Sequence, residues 1–170
     1  MITPAYCQLL ARYSRWMNER TFALLGRMDD AERKRDRGAF FGSIHRTLNH
    51  VLWADGTWLG RFTGAPFGVP AFGADLTSAF DDLAARREAM DRRIAEWAGQ
   101  VDAAWLDGPL DYRASSDGRR RILPAWIAAV HLFQHATHHR AQVGTMMKQA
   151  GVDPGTTDLP FLPDVVRVVP

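Results

Sequence analysis

The chain has 170 residues, 46% of them apolar, and its 21 Lys and Arg against 19 Asp and Glu leave a formal net charge of +2. This length suits one compact domain over residues 1–170, and the near-neutral charge argues against nucleic acid as a partner. Cys7 is the only cysteine, which excludes an internal disulfide and any cysteine-cluster metal site. There is no signal-peptide pattern and no apolar run of about 18 residues, so we expect a cytoplasmic protein that does not cross a membrane.

Apolar residues at helical spacing predict four long helices. The predicted helices cover roughly residues 4–28, 43–64, 77–97 and 124–150. Ser43 is the expected N-cap of the second helix, and Gly64 and Gly151 are expected to end the second and fourth. Either Thr77 or Asp75 is the expected cap of the third.

The predicted connections differ in character. Residues 29–41 are densely charged and are expected to be a solvated connection, and residues 62–75 form a loop. Residues 109–122 alternate, and Ser116-Asp117-Gly118 is a turn signal, so a small β-hairpin is expected before the last helix. The three arginines 119–121 then lie on its wet edge. The tail, residues 154–170, is expected to pack in extended form across the helices or a partner subunit.

Four of the six histidines lie in the fourth helix, in HLFQHATHH. His131, His135 and His139 share one stripe of that helix, and two imidazoles four residues apart can direct nitrogens at one ion. Spacing alone leaves the pairs His135 with His139 and His131 with His135 as rivals, with His138 at the edge of the stripe. A hydrogen-bonded core pair without metal is a further alternative.

The second helix offers His45 and His50, which are about 140° apart around its axis and cannot both face one site. His50 lies beside small residues at the edge of the apolar face, where it can look into a recess between helices. His45 has Arg46 and Asn49 as neighbours and is expected to be more exposed to solvent than His50. We therefore choose His50 as the third candidate. Three neutral imidazoles suit zinc or nickel, with iron, manganese or copper as alternatives, and leave a position open for water or substrate.

Several segments together resemble the DinB family. These are LARYSRWMNERTF, RDRGAFFGS, SIHRTLNHVLWADGTWLGRF, HLFQHATHHRAQVGTMMKQAG and PGTTDLPFL. The resemblance implies an all-α protein, an up-and-down four-helix bundle that forms a homodimer. It also implies a divalent metal ion held by His50, His135 and His139.

With this assignment, His131 becomes a packing residue or supports a ligand, and His138 a neighbour of the site. Asp55, on the apolar face of the second helix, is expected to bind a group of the neighbouring helix rather than the metal. Arg140 and Gln142 flank the site in sequence, without an assigned role. Cys7 is expected to be a buried, inert thiol.

The sequence lacks the H-E-x-x-H glutamate of zinc proteases, so a bound metal itself must activate the nucleophile. By resemblance to the wider superfamily we expect a metal-dependent enzyme that acts on small molecules and transfers or adds a low-molecular-weight thiol. Metal-dependent hydrolysis is the alternative reaction. A noncatalytic, metal-stabilised dimeric bundle linked to stress is the alternative of another class.

Overall fold

The computed structural model describes residues 2–68, 73–163 and 165. The four long helices are α1 (Pro4–Leu25), α3 (Ile44–Thr63), α4 (Phe80–Gln100) and α6 (Ala125–Gln149). The shorter elements are α2 (Asp30–Lys34), α5 (Ala103–Asp107), β1 (Pro109–Arg113), β2 (Arg120–Pro124) and a 3-10 turn (Leu159–Phe161). The mostly helical class with one small hairpin is thus confirmed. None of the described helices is long and apolar enough to span a bilayer.

Local capping sets most of the helix ends. The Ser43 hydroxyl accepts a hydrogen bond from the Arg46 amide at 3.2 Å, which confirms the predicted N-cap of α3. Gly64 follows α3 with a φ of 68°, a left-handed conformation that favours glycine. Helix α4 corresponds to the third predicted helix, for which Thr77 or Asp75 was the expected N-cap. This prediction is wrong, because α4 begins after Ala79 with no side-chain cap.

The charged connection after α1 is more ordered than predicted. It contains α2, and Arg33 within it is buried. The Arg33 guanidinium donates hydrogen bonds to the backbone carbonyls of Leu25 and Met28. These bonds satisfy carbonyls at the end of α1, and α1 ends at Leu25 rather than near Met28. The prediction of a fully solvated segment is therefore wrong at Arg33.

The long helices form a ring in which α1 packs against α4 and α6, and α3 packs against the same two helices. Residues later in α3 contact residues later in α4. Asp55 binds Arg87, and further along both helices Phe62 packs on Trp97. The two helices are therefore parallel, and the strict alternation of an up-and-down bundle is interrupted at this pair. The end of α3 at Thr63 and the start of α4 at Phe80 therefore lie at opposite ends of the bundle. Helix α6 runs antiparallel to α3, since His50 meets His135 while Trp58 meets His131.

A buried ion network joins α1, α3 and α4. The Arg87 guanidinium donates to Asp55 Oδ2 at 2.6 Å, and its Nη2 lies 2.8 Å from Asp91 Oδ1. The Asn18 amide donates to the same Asp91 carboxylate at 2.9 Å. The prediction that Asp55 binds a neighbouring helix is confirmed, and the network fixes the position of α3 beside α4.

The hairpin pairs Pro109 with Pro124 through Arg113 with Arg120 in antiparallel register and packs against α3 and α6. Arg120 and Arg121 form ion pairs with Asp111 and Asp117 within the hairpin, as expected of a wet edge.

In the tail, the carbonyls of Thr156 and Thr157 accept hydrogen bonds from α1. These bonds agree with the expected packing across the helices, but the prediction of an extended tail is wrong at Leu159–Phe161, which forms the 3-10 turn. Residue 164 and residues 166–170 of the predicted tail lie outside the described residues.

Candidate metal centre

Three histidines from two antiparallel helices meet at one point. His50 Nε2 on α3 lies 3.1 Å from His135 Nε2, and His139 Nε2 lies 3.2 Å from the same atom. The three potential ligand atoms all lie within 4.8 Å of one another. The i,i+4 spacing places His135 and His139 one above the other on α6. The side of α3 that faces α6 carries His50.

The other histidines lie outside this group. His45 is 2% exposed, and its Nε2 lies 2.9 Å from the carbonyl oxygen of Thr77, on the side of α3 that faces the connection to α4. The prediction that His45 is the more exposed of the two histidines is therefore wrong. The choice of His50 over His45 as the candidate ligand nevertheless agrees with the geometry. The structure likewise favours the pair His135 with His139 over His131 with His135. His131 lies one helical turn before His135 on α6, and it packs against Trp58 of α3 with ring centroids 5.0 Å apart.

A hydrogen bond orients one of the three rings. His139 Nδ1 lies 2.7 Å from the Gln142 side-chain oxygen. An amide oxygen only accepts hydrogen bonds, so Nδ1 carries the proton and the lone pair of the neutral ring is on Nε2. The Gln142 amide nitrogen is then the donor to His138 Nε2 at 3.2 Å. His138 thus supports Gln142, and Gln142 directs His139 Nε2 at the other two rings.

Burial keeps the cluster uncharged at neutral pH. Desolvation, followed by the neighbouring His139, lowers the pKa of His50 to about 4. Desolvation and then the surrounding imidazoles lower the pKa of His135 to about 3, and burial lowers the pKa of His139 as well. Neutral imidazoles have the free lone pairs that metal ligation requires.

The donor set fits a divalent cation. Two nitrogens that bind zinc at about 2.0–2.1 Å in tetrahedral geometry are separated by about 3.3 Å, close to the two contacts observed. Without a cation, a single proton on His135 Nε2 can fully satisfy only one of its two short contacts, because His139 Nε2 carries a lone pair. A cation among the three nitrogens satisfies all of them, so these histidines could bind a metal ion.

The cluster lies in the wall of a cavity of about 500 Å³ between α3, α6 and the hairpin. The other walls include several aromatic rings, and the ring of Phe41 stacks on His50 with centroids 4.0 Å apart. No Asp or Glu belongs to the part of the lining that the structure describes. The lining includes Phe41, Trp58, Arg61, Tyr112, Ser115, His131 and Gln142.

Several of these lining residues have no counterpart in the predictions from sequence. Phe41 precedes α3 and Tyr112 lies in β1, so neither belongs to a helix that carries the histidines, and only the packing of these two segments brings them to the cavity. The predicted loop and hairpin around them could have suggested a cavity rim, but gave no reason to choose these side chains.

Comparisons with known proteins agree with this fold. The family model described as DinB family matches residues 1–166. Protein DinB of Bacillus subtilis (strain 168) is 24% identical, over 88% of this chain and 88% of that protein. A crystal structure of a DinB-like protein from Bacillus cereus ATCC 10987 superposes with a TM-score of 0.62 at 19% identity, covering 82% of this chain and 89% of that one. The family match extends over nearly the whole sequence, and we conclude that the chain belongs to the DinB family.

Proposed function

We propose that this protein is a metal-dependent enzyme that holds a divalent cation with His50, His135 and His139. The proposed reaction transfers or adds a low-molecular-weight thiol to an electrophilic small molecule. The observation that carries the proposal is that three imidazole nitrogens converge in the wall of an open cavity large enough for a small-molecule substrate.

Three neutral ligands leave the full charge of a divalent cation uncompensated, and such a cation supplies Lewis acidity that lowers the pKa of a thiol or of water. The chain itself supplies the rest of the site. Gln142 holds His139 in the ligating tautomer. Phe41 covers one face of His50 and excludes water from that side. The aromatic walls provide an apolar surface for the substrate.

The absence of a carboxylate from the described cavity lining favours thiol chemistry over hydrolysis by the zinc-protease mechanism, because that mechanism needs a glutamate as general base. A thiol is acidic enough for a cation alone to hold it as the thiolate. Hydrolysis is the second candidate because His131 lines the same cavity and could accept a proton from water. Burial and the nearby Arg61 lower the pKa of His131, so its ring is neutral at physiological pH.

A noncatalytic metal site is the alternative of another class. Structural zinc sites are closed by four protein ligands, whereas the described group here has three members and opens on a cavity. This arrangement supports an enzyme more than a structural site. We also propose zinc or nickel as the metal, and a homodimer as the assembly, which light scattering of the purified protein would test.

Metal content and thiol consumption test the proposal together. We expect one divalent ion per chain in wild type and in His131→Gln, which changes an imidazole of the same cavity outside the group. His135→Gln should lose the ion. A panel of cellular thiols and electrophiles should show thiol consumption that stops on chelation and returns with metal. Retention of a full metal ion by His135→Gln would overturn the ligand assignment, and hydrolysis of ester probes without thiol use would favour the second candidate.

A further inference from the structure

The cavity that contains the histidine group has a cationic end. Arg61 follows His50 on α3 by three turns, and helix geometry places the two residues about 20° apart around the axis and about 16 Å apart along it. Both therefore face the same cavity. The distance between them matches the length of an extended small molecule.

The Arg61 guanidinium is held rigidly in this wall. The Arg61 Cζ atom lies 4.4 Å from the ring centroid of Trp58 and 4.6 Å from that of Tyr112. Both aromatic rings therefore make cation–π contacts with the guanidinium. Its Nη2 donates to the backbone carbonyl of Arg113 at 3.1 Å and to the hydroxyl of Ser115 at 2.9 Å. These contacts fix the side chain before any ligand arrives.

The charge of Arg61 is not neutralised by any acidic group among the described residues. Both of its hydrogen bonds use Nη2, which leaves Nε and Nη1 as donors. The nearby Arg121 adds a second positive charge, and its own partner is Asp117 of the hairpin. Desolvation and then Arg121 lower the pKa of Arg61, which is the direction expected for a half-buried cation without an acidic partner.

We propose that Arg61 binds the anionic group of the substrate, a carboxylate or a phosphate, at the end of the cavity opposite the metal ligands. This inference rests on the proposed function, since it places the reacting end of that substrate at His50, His135 and His139. The substrate is then an elongated small molecule with an anionic group at one end, an apolar middle that contacts Trp58, and the reactive group at the other end. Arg61 is a specificity-determining residue in this arrangement, since it distinguishes anionic substrates from neutral ones of the same shape.

The test compares a carboxylate with the amide of nearly the same shape and adds a phosphate as a third probe. Zinc-free protein is titrated with 4-phenylbutanoate, with 4-phenylbutanamide and with 3-phenylpropyl phosphate, while the indole N–H signal of Trp58 reports on binding in the cavity. Without zinc, a carboxylate cannot bind through the metal. We expect the carboxylate or the phosphate to bind about tenfold more tightly than the amide, the size expected for a charge-assisted hydrogen bond. The preferred anion distinguishes the two chemistries.

Arg61→Gln should abolish the preference for the anion while leaving the affinity for the amide within about twofold. Arg120→Gln is the matched control, because it removes the same charge from the hairpin outside the cavity lining, and it should keep the preference. Equal binding of acid and amide by wild type, no binding of any probe, or an undiminished preference in Arg61→Gln would overturn the proposal. The wild-type comparison does not depend on how well the variant folds. Failure of the metal proposal appears separately, as wild-type protein without metal.

Discussion

Gln142 and His139 form a hydrogen bond of 2.7 Å on consecutive turns of α6, and this bond decides which nitrogen of His139 faces the other two histidines. Gln142→Leu should weaken metal binding about 10- to 100-fold, as is typical when a residue that orients a ligand is lost. The measurement is zinc affinity by competition with a chelator. Gln149→Leu, at an exposed site of the same helix, is the control and should bind zinc as wild type does. Equal affinities for the two variants would show that Gln142 does not orient the ligand.

Lowering the pH should destabilise the metal-free protein. The pKa values of His50 and His135 are about 4 and about 3 in the folded chain, below the ordinary value of 6.5. The unfolded chain therefore binds more protons than the folded one between about pH 6.5 and pH 3, and the free energy of unfolding falls as the pH falls through that window.

Urea unfolding of chelator-treated protein at pH 7, 6, 5 and 4 measures this dependence. His135→Gln should show a shallower loss of stability over the same range, because the substituted side chain does not titrate. Identical slopes for the variant and the wild type would contradict the lowered pKa of His135.

Cys7 should resist alkylation while the protein is folded. The thiol is fully buried, and desolvation raises its pKa from 9.0 to about 11. At pH 9 the folded chain therefore holds little reactive thiolate, whereas about half of the unfolded chains do. Because the folded-state pKa is the higher one, the stability linked to this thiol is present below about pH 9 and is lost as the pH rises towards 11.

Mass spectrometry after iodoacetamide treatment at pH 8 and pH 9 provides the measurement for Cys7. Native protein should be modified far more slowly than protein in urea. Equal rates in the two conditions would show that the thiol is accessible in the native fold.

Removing Arg87 should destabilise the protein strongly. Its guanidinium lies between the carboxylates of Asp55 and Asp91, and all three side chains are buried. Arg87→Met leaves two buried carboxylates without their cation, a change that typically costs about 3–5 kcal/mol. Denaturant unfolding measures the cost. Arg92→Met breaks an exposed pair with Glu88 on the same helix and should change stability by less than about 1 kcal/mol. Similar effects of the two substitutions would mean that the buried network adds no more than a surface pair.

Local signals in the sequence were sufficient for much of the fold and for the candidate ligands. The Ser43 cap and the left-handed Gly64 depend on neighbouring residues, so their pattern is visible in a short segment. Helix geometry left the pair His135 with His139 and the pair His131 with His135 as alternatives, and the resemblance to a family decided between them. Choosing His50 needed the small residues around it, and the resemblance to a family added support.

Features that depend on distant contacts were not predicted. The burial of His45 requires the connection before α4 to cover it, and the burial of Arg33 requires the end of α1 to present its carbonyls. Apolar periodicity identifies a helix but carries no information about its direction in a bundle. Trp58 and Tyr112 come together around Arg61 only when the hairpin packs on α3, so this contact was not predicted either.

The position of α1 in the ring of helices, between α4 and α6, bears on how the chain reaches its native state. Both packing neighbours of α1 lie far from it in sequence, and the group of His50, His135 and His139 joins segments 85 residues apart. Loop-closure entropy must be overcome before such contacts contribute any favourable free energy. This bundle is therefore expected to fold more slowly than one in which every helix packs on its successor, and α1 can complete its packing only after α6 has been synthesised.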